Sequence, residues 1–219
     1  MLLGKFFKWG ASTLRVALEK LRLGGRLVLP RGGKPVYLGK GVRLLVWPGG
    51  SLELGRGAYL DDRTRLEVGS GASMSIGEGV YMNTNCRVVA IESIAIGAHT
   101  LLGPNACIYD HDHVFDAEGV HAEVAAAPVR IGERCWLGAN AVVTAGVDVV
   151  DRTCVGGGCV VTRSLLDPGV YVGSPARLAH ATAHIGSRLD EEKHAGDVAP
   201  QGLERPAPSC HQKSSHEGA

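Results

Sequence analysis

From Ile131 to Val161 every sixth residue is aliphatic. Ile131, Leu137, Val143, Val149, Val155 and Val161 form an unbroken series, and Gly132, Gly138 and Gly156 directly follow three of them. The same step recurs upstream in Ile96, Leu102, Ile108, in Ile76, Met82, Val88, Ile94, and in Leu54, Leu60, Leu66, with Leu38-Gly39 leading into Leu44. Neither the 3.6-residue period of a helix nor the simple alternation of a strand holds a period of six this long. A short strand followed by a corner does: the aliphatic points inward, and glycine tolerates the corner backbone. Stacked coils of this kind bury a continuous aliphatic column, and each strand pairs with those above and below it at about 4.8 Å. Three hexads make one triangular coil, and Ile131 and Val149 are separated by three hexads. Ile76 and Ile96 are nearly one coil apart, whereas the stretch from Ile96 to Ile131 exceeds a coil by almost a further coil's length. An excursion from the coil is predicted there, and it opens at the ionisable run Asp110-His111-Asp112-His113.

Two segments fall outside the repeat. Residues 1–23 read as an amphipathic helix, with Leu2, Leu3, Phe6, Phe7, Trp9, Leu14, Val16, Leu18 and Leu21 set among five Lys/Arg. The first expectation is a helix that caps the domain; the pairing of Phe and Trp with basic residues also suits peripheral membrane contact. Residues 187–219 are polar and aperiodic, and are predicted to be disordered.

Composition narrows the classes. Thirty-one glycines with only 5% aromatics argue against a helical bundle, where each interior glycine costs about 1 kcal/mol. A formal charge of +1 provides no global field toward nucleic acid, so no nucleic-acid partner is expected. The six cysteines (Cys86, Cys107, Cys135, Cys154, Cys159, Cys210) contain no CxxC pair and read as small buried hydrophobes in a reducing compartment. No apolar run approaches the ~20 residues that span a bilayer, and no compact signal-peptide core opens the chain. A cytoplasmic location is expected, with the inner face of the membrane as the second place suggested by the amino-terminal helix.

The hexads, together with IGEGVYMNTNC, IGAHTLLGPNACIYDHDH, IGERCWLGANAVVTAGV, GGGCVVT and VGSPAR, resemble the hexapeptide-repeat acyltransferases across residues 36–178. The nearest likeness is to the maltose and galactoside O-acetyltransferases and to the acetyltransferases of polysaccharide assembly. The resemblance implies an all-β fold, a left-handed parallel β-helix whose handedness the period cannot supply, since parallel crossovers are ordinarily right-handed. It also implies a homotrimer with active sites shared between protomers, acetyl-CoA as acyl donor, and no metal.

By the same resemblance His113 stands at the position of the family's general base, and Asn83 at that of an asparagine that contacts the acceptor. The chemistry is sound: a sugar hydroxyl is a poor nucleophile, and a neutral imidazole can take its proton as it attacks a thioester carbonyl. His111 is two residues off the motif and is read as orienting His113 or the acceptor. Asp110 is read as a substrate-binding carboxylate. Ala139, Gly157, Thr162, Arg163 and Arg177 match positions along the coenzyme A groove, with main-chain contacts at the first two, where close relatives carry serine and alanine. The long helical domain of the maltose and galactoside enzymes is not recognisable, which moves the expected acceptor toward a glycan precursor, lipid-linked at the membrane face. Three other readings compete: N-acetyl transfer to an amino sugar or other small acceptor, a γ-type carbonic anhydrase using His99, His111, His113 and His121 around zinc, and a non-catalytic scaffold.

Overall fold

The computed structural model describes residues 2–181, with side chains from Lys8 onward; the segment predicted to be disordered, 187–219, lies outside the described residues, as does Cys210. After helix α1 (Leu2–Leu23) the chain winds into a parallel β-solenoid of about six turns with three faces. Face A begins with Leu27–Val28 and Ser51–Leu54 and ends with Asp148–Val149; face B runs from Tyr37–Leu38 to Cys154–Val155; face C runs from Arg43–Val46 to Val160–Val161. The repeat therefore begins at Leu27, ahead of the predicted residue 36.

The register reproduces the aliphatic columns. Leu54, Ile76, Ile96, Ile131 and Val149 stack on face A; Leu38, Leu60, Met82, Leu102, Leu137 and Val155 on face B; Leu44, Leu66, Val88, Ile108, Val143 and Val161 on face C. All are buried and belong to one core. Coil length is less uniform than the period. On face C the register partners Arg43, Arg65, Arg87 and Cys107 are each separated by slightly more than three hexads, Cys107 and Val142 by nearly twice that, and only Val142 and Val160 by three hexads. The longest step contains the predicted excursion, an antiparallel hairpin of His111–Asp116 and Gly119–Ala126.

One expectation is corrected. The glycine after each inward aliphatic does not adopt the left-handed corner conformation; a Cβ on Gly97 would lie 2.5 Å from the backbone carbon of Gly132, and one on Gly138 would lie 2.5 Å from the Gly157 nitrogen. Close approach of successive coils is what requires glycine there. The left-handed corner residue comes two positions later, and polar or charged residues fill it in the middle and late coils, among them His99, Asn105, Arg134 and Asn140 with φ of 54–60°.

Both ends of the stack are closed. On α1, Ser12 is fully buried and accepts from the Leu38 N–H at 2.8 Å, while Arg15, Lys20 and Arg22 of the helix and Arg26 of the turn that follows it donate to the carbonyls of Leu38, Leu27, Leu44 and Val46, one or two on each face of the first coil. Trp9 packs edge-on to Tyr37 at 5.1 Å, which begins an outward ladder of Tyr37, Tyr59 and Tyr81. The inner face of the helix thus caps the solenoid, as the first reading of residues 1–23 predicts. At the far end Gly169–Val172 adds to face B, and Arg177–Ala181 pairs with it antiparallel.

Cys86, Cys135 and Cys159 are buried, Cys107 and Cys154 half-buried, and all five are free thiols. Burial pushes the Cys86 thiol up to about 12, in keeping with a packing role.

Replacing Gly97 by Ala should lower stability by on the order of 1–3 kcal/mol, because neighbouring coils cannot separate without breaking their ladder. Gly10→Ala, on an exposed helical position with open space around it, should raise stability by up to about 1 kcal/mol. Urea denaturation of the two variants beside the parent chain measures both signs.

Candidate active site

The ionisable run departs from the coil at one residue. Tyr109 pairs with Val89, so Asp110 falls level with Ala90 and continues the inward column of Val46, Val68 and Ala90 on face C. A carboxylate in a column of aliphatics needs donors, and the coil provides them. Earlier turns place four residues between face C and the next face A strand, whereas only Ile91 and Glu92 separate Arg87–Ala90 from Ser93–Ile96. This tight corner aims both N–H groups inward: Ile91 N donates to both Asp110 oxygens at 2.8 and 3.0 Å, and Glu92 N to Oδ2 at 2.8 Å. Asp110 is completely buried. The expectation that it binds substrate is therefore corrected: its oxygens are held by the backbone and out of reach of an acceptor on the surface of the protomer.

His111 is anchored on the same carboxylate. Its Nδ1 lies 3.1 Å from Asp110 Oδ1, its side chain is 18% exposed, and its ring stands edge-on to Tyr109. His113, two residues up the hairpin strand, is exposed and pairs across to Val124. The hairpin is tied at its base, where the Ala127 N–H donates to the Asp110 carbonyl at 2.8 Å. Farther out, His121 Nε2 lies 2.8 Å from Asp116 Oδ1; that contact and the Glu118 N–H hold the Asp116 carboxyl below the usual carboxylate range. Of the four histidines in the zinc reading, three are on this hairpin, while His99 turns the corner between faces A and B.

Asn83 occupies the corner between faces B and C of the third coil. It is Asn85, not Asn83, that takes the left-handed conformation. The Asn83 Oδ1 accepts from the Thr84 N–H at 2.7 Å, and its Nδ2 has no partner among the described residues. One coil below lies Asp61, whose Oδ2 is 3.3 Å from the Tyr81 hydroxyl. Burial first, then Asp61, raises the Tyr81 phenol above its ordinary value. Tyr81, Asp61 and Asn83 form a polar group that the sequence reading misses apart from Asn83. The available signal is position: Asp61 and Asn83 each directly follow a face B strand, in successive early coils.

Ala139 and Gly157 lie on the same corner ridge, one coil apart. The Ala139 carbonyl accepts from Gly158 at 2.8 Å, whereas among the described residues neither the Ala139 nor the Gly157 N–H has a protein acceptor. Trp136 precedes this ridge and is 55% exposed. Thr162 and Arg163 follow Val160–Val161 at the corner between faces C and A, both exposed, and Arg177 opens the antiparallel end strand.

The predicted site residues thus fall into two groups. Asn83, Ala139 and Gly157 line one edge of face C; the histidine hairpin, Thr162 and Arg163 rise from its other edge. The strand Arg87–Ala90 between these edges is about 13 Å long. Two surface clefts lie elsewhere, one of about 280 Å³ lined by Glu133, Arg134, Asp151 and Arg152, the other of about 260 Å³ beside Val16, Leu29, Pro30 and residues 32–36. Neither includes a predicted site residue.

Residues 128–163 match the family model described as the hexapeptide repeat of succinyl-transferase. Over that stretch the chain carries the hexapeptide repeat that the family model describes. It is similar to nodulation protein L of Rhizobium meliloti (39% identity over 95 residues, 43% of this chain and 52% of that one). It is also similar to the galactoside O-acetyltransferase of Escherichia coli (28% over 111 residues, 50% of this chain and 52% of that one). The chain spans about half the length of these curated relatives. Its fold matches that of AntD, an N-acyltransferase from Bacillus cereus solved with dTDP and coenzyme A, with a TM-score of 0.63, 18% identity, and coverage of 81% of this chain and 95% of that one.

Asp110→Ala would leave the inward-turned, part-buried Ile91 and Glu92 N–H groups without their acceptor, at about 1–3 kcal/mol each. Chemical denaturation should show a loss of at least about 2 kcal/mol, and an unchanged midpoint would contradict the role assigned to this carboxylate.

Proposed function

We propose that this protein is an acetyl-CoA-dependent O-acetyltransferase acting on a hydroxyl of a sugar or glycan precursor, in the cytoplasm at the inner face of the membrane. Its active sites are shared between neighbouring copies of a homotrimer. One observation carries the reading. Two N–H groups without an acceptor among the described residues, at Ala139 and Gly157, stand one coil apart on the ridge that holds Asn83, while the histidine hairpin rises from the opposite edge of face C. A slot walled by the ridge of one copy and the hairpin of the next would bring the two groups together. The similarity to a galactoside O-acetyltransferase supports the reaction class and a sugar acceptor.

In this reading the pantetheine arm lies along the ridge and its amides meet the Ala139 and Gly157 N–H groups. Thr162, Arg163 and Arg177 provide hydroxyl and guanidinium donors for the phosphates. The acceptor rests against Asn83 Nδ2, the Tyr81 hydroxyl and Asp61. His113 takes the proton of the attacking hydroxyl, the new C–O bond forms at the thioester carbon, and the tetrahedral oxyanion collapses with cleavage of the C–S bond. The departing thiolate then receives the proton from His113. No acyl-enzyme is needed. Asp110 acts at one remove: it fixes the base of the hairpin through Ile91, Glu92 and His111.

His113→Ala should reduce thiol release from acetyl-CoA by ~10²–10⁴-fold at unchanged thermal stability, since the side chain is exposed. Full activity in that variant would remove the proposed base. A screen of sugars, amino sugars and glycan precursors with the same readout identifies the acceptor. Subunit sharing has its own test. When inactive His113→Ala and Asn83→Ala chains are mixed and allowed to exchange, about a quarter of the sites regain both residues if they come from different copies. No recovery after verified exchange would mean that both residues act within one chain.

A further inference from the structure

The capping helix has a second face. At 100° per residue Ser12, Val16 and Leu23 fall within one narrow arc that packs on the first coil, and Leu14, Leu18 and Leu21 fall on the opposite arc. These three leucines are 61%, 56% and 83% exposed. The inner arc is committed to the solenoid by the buried Ser12 hydroxyl and by the arginine and lysine bonds to the edge carbonyls, so rotation of the helix cannot bury the leucines.

Charge is concentrated at the same end. From Met1 to Leu60 the chain has eleven Lys/Arg against only Glu19 and Glu53, a net of +9, in a chain whose total is +1. Glu19 is itself paired with Arg22. The chain from Asp61 onward therefore holds twelve Lys/Arg and twenty Asp/Glu, a net of −8, so the sequence is strongly polarised between its helix end and the remainder. Lys8, Arg31 and Lys34 are exposed at the cationic end. A second copy is a poor occupant for this face: like would meet like charge, and three leucines fall short of the roughly 800 Å² per partner of a stable interface. No helix among the described residues is long and apolar enough to cross a membrane.

We infer that α1 is a docking face for an anionic phospholipid surface: Leu14, Leu18 and Leu21 enter the headgroup boundary, the surrounding cations meet lipid phosphates, and the solenoid stands out from the membrane on its helix end. Apolar insertion and electrostatic attraction combine in such interfacial helices. The inference names the partner of the membrane face in the proposed function, but it does not depend on the transfer reaction, and its test has no catalytic readout.

The full chain is sedimented with vesicles of phosphatidylcholine alone and of phosphatidylcholine with about one-third phosphatidylglycerol. Binding to the anionic vesicles should be at least tenfold tighter than to the neutral ones, and should weaken severalfold on going from low to high salt, as expected for cations drawn to an anionic surface and screened by salt. The L14S/L18S/L21S variant should lose at least tenfold in binding while keeping its thermal midpoint, because the three side chains lie in solvent. Equal binding of the parent chain to both vesicle types, which needs no variant, overturns the inference. So does undiminished binding by the folded triple variant, or a fall in solution mass on triple substitution without any vesicle binding, which would assign the face to a second copy.

Discussion

The backbone ladder between successive coils governs the molecule. Each strand can pair above and below only if the coils lie at the ladder spacing over their whole circumference. That demand removes the Cβ where one corner rides closely on the next, as at the stacked Gly55, Gly77, Gly97 and Gly132. It also requires each inward residue to resemble the residues above and below it in size, since all share one column. The core then follows from repetition, and stability is distributed over neighbour contacts.

Against that uniformity, the passage from the third coil to the fourth stands out. Its corner is two residues shorter than the earlier ones, which leaves two N–H groups turned inward, and Asp110 of the fourth coil occupies the column position that meets them. Polar chemistry in the core and the departure of the hairpin are thus one event: the carboxylate that satisfies the corner is also the last residue before the chain leaves the coil, and it holds His111 as the chain goes. The buried acid anchors the excursion and leaves His113 free at the surface.

Much of this is legible in the sequence. The period of six locates the columns, the surplus between Ile96 and Ile131 locates the hairpin, and a spacing of three hexads places Ala139 above Gly157. The reason for the repeated glycine is not legible, because close approach and left-handed backbone select the same residue and only coordinates separate them. Asp110 is misread because alternation along an extended segment says nothing of which side is inward; the ladder register decides that, and the N–H groups concerned belong to the preceding coil. Tyr81 and Asp61 escape notice because their association runs between coils, at a spacing longer than the three hexads of a regular coil.

The closure of the two ends bears on solubility. A solenoid is a stack of open strand edges, and an uncovered terminal coil would offer another chain three rows of unpaired groups on which to grow. Here side chains from α1 and the turn after it take up edge carbonyls on all three faces at one end, and at the other the reversed strand Arg177–Ala181 covers face B with antiparallel pairing that the parallel stack cannot extend. Strand addition by a further copy is thereby blocked at the edges these groups cover.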